Sequence, residues 1–244
     1  MKPIRYAGFT MIETMLFLAV TGVLIAGILV GTGTSINTQR YRDSVVSLRS
    51  FLQQQYSDVS NVRNSSVSNN TCAGITGYRG QTNCVILGRY IQAKSFSPSI
   101  VEVRNVIGTI PFSPAPGEPD PPTADVELLV QYGIKVSDIL TDNSTYNLEW
   151  DATMKSKTNS NISFSILILR SPSSGIIRTF IDDSPVTAAT NISSLVVTTA
   201  LSKSVTICVD SNGVLTGPKM AVMVNKDITN ASGIEMFEKD SGCV

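Results

Sequence analysis

The sequence predicts an α+β chain in which one long N-terminal α-helix, its first half apolar enough to span a membrane, packs on an antiparallel β-sheet domain. Three observations lead there. Residues 14–39 carry no charge and are mostly apolar. From Tyr41 onward apolar residues recur at every third or fourth position, which is the helical period. Beyond residue 71, short runs rich in β-branched residues alternate with turn-forming clusters, the pattern of strands joined by hairpins.

The N-terminal block comes first in the chain and constrains it most. The core of that block, from Met15 to Gly31, reads MLFLAVTGVLIAGILVG and approaches the ~20 apolar residues that a helix rising 1.5 Å per residue needs to cross a bilayer. A secretory signal peptide would share the basic start given by Lys2 and Arg5, but its apolar region is only about 7–15 residues long. A plain anchor fits the length and leaves one residue unexplained. Glu13 places a carboxylate just inside the apolar segment, where a charge costs up to roughly 2.5–3.5 kcal/mol at the helix centre and less toward its end. Glu13 is therefore a functional candidate.

Composition narrows the function classes. The 244 residues include 19 Lys and Arg, 19 Asp and Glu, and no histidine. A balanced charge lacks the clustered basic excess of a nucleic-acid module. Without histidine, histidine-dependent triads and histidine-ligated zinc hydrolase sites are excluded. No G-x-S-x-G, S-x-x-K or phosphate-loop signature is present, so an exported enzyme is the weakest reading, behind a membrane-anchored surface binding protein.

The string Gly8, Phe9, Thr10, Met11, Ile12, Glu13, set between a short basic leader and a long apolar run, resembles the class III signal of type IV prepilins and the related pseudopilins. The resemblance covers roughly the first 50 to 60 residues. It implies a leader at 1–8, cleavage by a prepilin peptidase between Gly8 and Phe9, N-methylation of Phe9, and a role for Glu13 in assembly. It also implies a pilin-like fold and a structural subunit, major or minor, of a type IV pilus, single-pass in the cytoplasmic membrane before assembly and in a surface filament with other pilin subunits afterwards. A pseudopilin of a type II secretion or DNA-uptake machine is the alternative. Cleavage would remove Lys2 and Arg5 and leave 17 basic against 19 acidic residues. Many such pilins carry proline where Val30 stands here. Any bend must then come from Gly22, Gly27, Gly31 and Gly33, each costing roughly 1 kcal/mol of helix propensity relative to alanine. Gly22 matches a glycine common in the family. Gly27 and Gly31 form a G-x-x-x-G pair, read either as a close-packing face or as ordinary glycine usage in membrane helices.

The helix is expected over 9–58, about 14–33 of it in the membrane. Tyr41, Val45, Leu48, Leu52, Tyr56 and Val59 form one apolar face that lies on the domain at 59–244. Fraying is expected from Asp58 to Asn70, where Ser and Asn dominate. Strands are expected at Asn83 to Ala93, Ile100 to Ile107, Thr145 to Thr153, Ile162 to Arg170, Ile176 to Ile181, Leu195 to Thr199, Ser204 to Val209 and Met220 to Val224. Turns are expected at Pro172 to Gly175 and Asp210 to Gly213. Ala124 to Tyr132 reads equally as helix or strand. Pro111 to Pro122 holds six of the eleven prolines and reads as an irregular loop, a stiff connector or a partner-recognition segment.

Cys72, Cys84, Cys208 and Cys243 all lie beyond the apolar block. Four cysteines allow three pairings. Sequence neighbours are the favoured one, Cys72 with Cys84 and Cys208 with Cys243, and the second closure resembles the C-terminal disulfide loop of many pilins. The other use of all four would be an all-thiolate zinc site, which their spacing does not suit. The sequons at Asn64, Asn69, Asn143, Asn161, Asn191 and Asn230 and the acidic pairs Glu118/Asp120 and Asp182/Asp183 read as polar surface and solvated turns. No metal and no cofactor is expected.

Overall fold

The computed structural model describes residues 10–61, 84–109, 125–137, 143–183, 192, 196, 203–213, 219–238, 242 and 243. Helix α1 runs Met11–Ser60 without a break, two residues past the expected end. Fifty residues at 1.5 Å make a rod of about 75 Å. Its glycines introduce no interruption. The buried residues of α1 include all six of the expected seam, from Tyr41 to Val59, together with Ser44 and Gln55.

Among the described residues ten strands follow: β1 Cys84–Ala93, β2 Ile100–Thr109, β3 Lys135–Val136, β4 Ser144–Asn147, β5 Thr153–Lys155, β6 Phe164–Arg170, β7 Ile177–Asp182, β8 Val205–Asp210, β9 Ala221–Val224 and β10 Ile234–Phe237. A second helix, α2, spans Asp125–Gln131, which settles the ambiguous segment as helical. Among the described residues the strands make two antiparallel sheets. The first has the order β3-β2-β1-β6-β7, with β4 also pairing on β2, and the second has the order β10-β9-β8-β5.

Both sheets lay apolar side chains on the α1 seam. Ile91, Val101, Val103, Phe164, Ile166 and Ile168 come from the first sheet, and Met154, Val205, Ile207, Val209, Val222 and Val224 from the second. The first sheet is covered on its other face too, where Tyr90, Val106, Leu167 and Leu169 meet Leu129 of α2. A strand buried on both faces needs a near-continuous apolar run. The β6 sequence FSILILR supplies it, and its first six residues are buried. Gly88 permits that layer: a Cβ there would lie 1.9 Å from the Ile168 carbonyl oxygen, and the β1/β2 register shifts at the same point.

Several expectations need correction. The strand expected over Thr145 to Thr153 is two strands, split where Trp150 and Asp151 take left-handed φ of 58° and 54°. Ile162 precedes β6 instead of opening it. Strands β3 and β10 were not anticipated, being short and of mixed polarity. Of the expected strand Leu195 to Thr199 only Val196 is described, and it is helical and buried. The expected turns hold, with Gly175 at φ 72° and Ser171 N–H donating to Ile176 O at 2.8 Å in the β6/β7 hairpin. The proline-rich segment Pro111 to Pro122 lies outside the described residues.

Candidate functional site

Two parts of α1 behave differently. From Tyr41 to Ser60 the helix is fastened to the sheets. The Tyr41 hydroxyl donates to Val209 O and accepts from Met220 N–H, both at 2.7 Å. Arg49 Nε donates to Ile234 O and Gln53 Nε2 to Ala231 O, each at 3.2 Å. The Tyr56 hydroxyl lies 2.9 Å from Thr179 Oγ1, which itself donates to Ile228 O at 2.7 Å. Phe51 stacks on Tyr146 with ring centroids 4.4 Å apart. At the helix end Arg170 donates to Ser60 O at 3.2 Å, placing a cation where the last carbonyls concentrate negative charge. Asp58 is bridged by Arg89 at 3.6 Å.

From Met11 to Ile36 every residue of α1 but the half-buried Thr21 is exposed among the described residues. Of the eighteen large exposed hydrophobic residues among those described, fourteen lie between Met11 and Ile36, and no part of the most apolar window is buried. Soluble monomers rarely expose contiguous apolar patches above a few hundred Å², so this surface, uncovered among the described residues, is a candidate for burial in an apolar environment. The helix is long and apolar enough to cross a membrane.

Its threonine hydroxyls are satisfied within the helix itself. Thr14, Thr21, Thr32, Thr34 and Thr38 each donate their hydroxyl to a carbonyl three or four residues back, for example Thr21 to Phe17 O at 2.8 Å and Thr38 to Thr34 O at 2.9 Å. A hydroxyl satisfied within its own helix avoids most of the penalty of leaving water. A Cβ built on Gly22, Gly27, Gly31 or Gly33 would meet nothing within 4 Å. Among the described residues no packing requires these glycines, although each weakens the helix by roughly 1 kcal/mol.

Glu13 sits in the first turn, where Thr10 is the N-cap and accepts from Glu13 N–H at 3.3 Å. Thr10 and Glu13 stand in the T-x-x-E spacing of a capping box, and the carboxylate lies at the positive end of the helix dipole. Sequence reasoning missed this second role of the motif, although the spacing itself signals it. Gly8 and Phe9 lie outside the described residues.

Cys208 of β8 and Cys243 are joined in a disulfide with Cα atoms 5.9 Å apart, fastening the C-terminal segment to the second sheet. Cys72 and the Cys84 side chain lie outside the described residues. Glu118, Asp120, Asn64, Asn69 and Asn191 do as well. Asp183 is bridged by Lys203 at 3.2 Å. Among the described residues no group of three or more His, Cys, Asp or Glu is placed to hold a metal. Two sequon asparagines serve the fold: Asn161 donates to Ser95 O at 2.9 Å, and Asn230 accepts from Ser232 N–H at 2.9 Å.

Compared with known protein families, with curated proteins and with solved structures, the chain matches none.

Proposed function

We propose that this chain is a structural subunit of a type IV pilus, a major or minor pilin, that a prepilin peptidase cuts after Gly8. The observation that carries this reading is the division of α1. One continuous helix holds its second part on its own sheets and leaves an apolar, charge-free first part uncovered, directly behind the Gly8 to Glu13 string. Such a segment suits two successive environments, lipid before assembly and the apolar sides of other α1 helices in a filament.

Glu13 is the one formal charge at the start of that surface. Paired with the Phe9 amine of a neighbouring subunit, it would set the axial register and offset the penalty of holding a carboxylate away from water. The uncovered glycines of α1 allow close approach of a second helix.

Intact mass of the mature protein tests the processing step. The expected result is loss of residues 1–8 with one methyl group on Phe9, and accumulation of precursor for Gly8→Val. Assembly is tested with Glu13→Gln, which keeps a side chain of the capping-box type and removes only the charge. The expected variant is cleaved and membrane-resident but absent from sheared filaments. A Glu13→Gln subunit incorporated at the normal level overturns the pairing mechanism. A Gly8→Val chain processed at the normal rate overturns the whole reading.

A further inference from the structure

The turn between β4 and β5 lies where the uncovered part of α1 leaves the sheets. Leu148 N–H donates to Ser99 O at 2.8 Å and Ala152 N–H to Glu149 O at 3.3 Å. Between those anchors Trp150 and Asp151 adopt left-handed φ without being glycine. The turn directs Trp150 outward, 53% exposed, and the Arg40 guanidinium lies 4.7 Å from the centroid of its ring. With Asn37, Tyr41, Ala152 and Ser211 these residues line a shallow recess at the foot of the domain.

Position along the helix gives this pair its meaning. Arg40 is the first charge after Glu13, and the 27 steps between them measure about 40 Å of helix. A bilayer with both headgroup layers is about 40–45 Å thick. With Glu13 in the inner headgroup layer, Arg40 and the indole stacked on it reach the outer one. Indoles favour that depth because the ring is apolar and its N–H still finds an acceptor. A guanidinium there binds phosphate oxygens through two parallel N–H donors.

Resting on the reading of α1 as a membrane anchor, we infer that Trp150 and Arg40 form an interfacial clamp that seats the domain on the outer leaflet, through the headgroups of zwitterionic phospholipid. The neighbouring charges favour a zwitterionic surface over an anionic one. Asp151 follows Trp150 in the turn and is exposed, Glu149 precedes it and Asp43 lies one turn up α1, while Arg42 is paired with Glu238 and Lys219 with Asp210 at 2.7 Å. Carboxylates in this collar suit the ammonium of a zwitterionic headgroup as Arg40 suits its phosphate.

Trp150 is the only tryptophan of the chain, so its fluorescence reports one residue. The full chain is reconstituted at low protein-to-lipid ratio into phosphatidylcholine vesicles carrying bromine either high or deep on the acyl chain, with iodide as the aqueous quencher. Flotation of the same sample reads anchoring independently. Shallow bromine is expected to quench Trp150 about twofold more than deep bromine, as befits an interfacial indole, with Arg40→Gln weakening that difference. A chain that floats while Trp150 answers only to iodide overturns the clamp and leaves the anchor standing. A chain that does not float overturns both. Shielding of Trp150 that grows only as copies are added assigns the indole to a neighbouring subunit and overturns the lipid contact.

Discussion

Replacing Tyr41 by phenylalanine removes one oxygen and, with it, the joint that fastens the point where α1 enters the sheets. That oxygen donates to Val209 O and accepts from Met220 N–H, so the variant strips an acceptor from a backbone donor beside a buried ring. Leaving such a donor unsatisfied costs about 1–3 kcal/mol. For a chain of this size 1 kcal/mol moves Tm by about 2–4 °C, so a cost near 2 kcal/mol is a fall of roughly 4–8 °C. Tyr56→Phe is the comparison. Tyr56 is the more deeply buried of the two, at 3% exposure against 8%. Its partner Thr179 still donates to Ile228 O after the change. Only the net value of one hydrogen bond is lost, about 0.5–1.5 kcal/mol. Burial alone would make Tyr56→Phe the costlier change, and hydrogen-bond satisfaction makes it the cheaper. Urea unfolding of the full chain in detergent, followed by far-UV circular dichroism, ranks the two. Equal losses, or a larger one for Tyr56→Phe, would refute the reasoning.

Ser44 is buried in the seam with no partner for its hydroxyl among the described residues, so Ser44→Ala should raise stability by about 1 kcal/mol, seen as a higher urea midpoint. Gly88→Ala drives a Cβ into the Ile168 carbonyl and should cost about 3 kcal/mol or more; a wild-type melting curve would contradict the tight β1/β6 contact. The double variant Cys208→Ala, Cys243→Ala opens a loop of 35 residues and should lose about 4 kcal/mol in the loop-entropy account, whereas an unchanged midpoint would count against it. Burial raises the Tyr41 and Tyr56 hydroxyls above the usual tyrosine range. Each stays protonated in the fold while its unfolded counterpart ionises near pH 10. Their contribution is complete below about pH 10 and declines above it by up to roughly 1.4 kcal/mol per pH unit per tyrosine, until pH passes the folded value. A pH series of urea midpoints should bend downward above pH 10, and less so for Tyr41→Phe.

The parts of the fold legible in the sequence were those governed by long periodic patterns. Nineteen residues at the helical period named the seam from Tyr41 to Val59, and β-branched runs located most strands of the first sheet. What the sequence hid depended on partners far away in the chain. Four residues, Ile234–Phe237, become a strand because β9 supplies the ladder for them. The segment Asp125–Gln131 becomes a helix that lays Leu129 on the outer face of the first sheet, a cover that seven residues cannot announce. The break at Trp150 and Asp151 was concealed because tryptophan does not signal left-handed backbone and a single aspartate signals it only weakly. At the candidate site, the apolar run and Glu13 were visible at once. The cap at Thr10 was written in the same four letters and overlooked, and the pairing of Arg40 with Trp150 joins residues 110 positions apart.

The division of α1 also decides how the molecule bears tension. A pull along the uncovered end is delivered to the sheets parallel to the helix axis, so the contacts from Tyr41 to Val59 and the side-chain bonds of Arg49, Gln53 and Tyr56 are loaded together in shear. A peeling pull would break them one by one. Strand β10 runs beside α1 from Ile234, held near Arg49, and Glu238 just past its end is held by Arg42, while Cys208–Cys243 closes the same region covalently. Gly22, Gly27, Gly31 and Gly33 each lower helix propensity by roughly 1 kcal/mol, so under such a pull the uncovered segment is expected to extend before the socket shears.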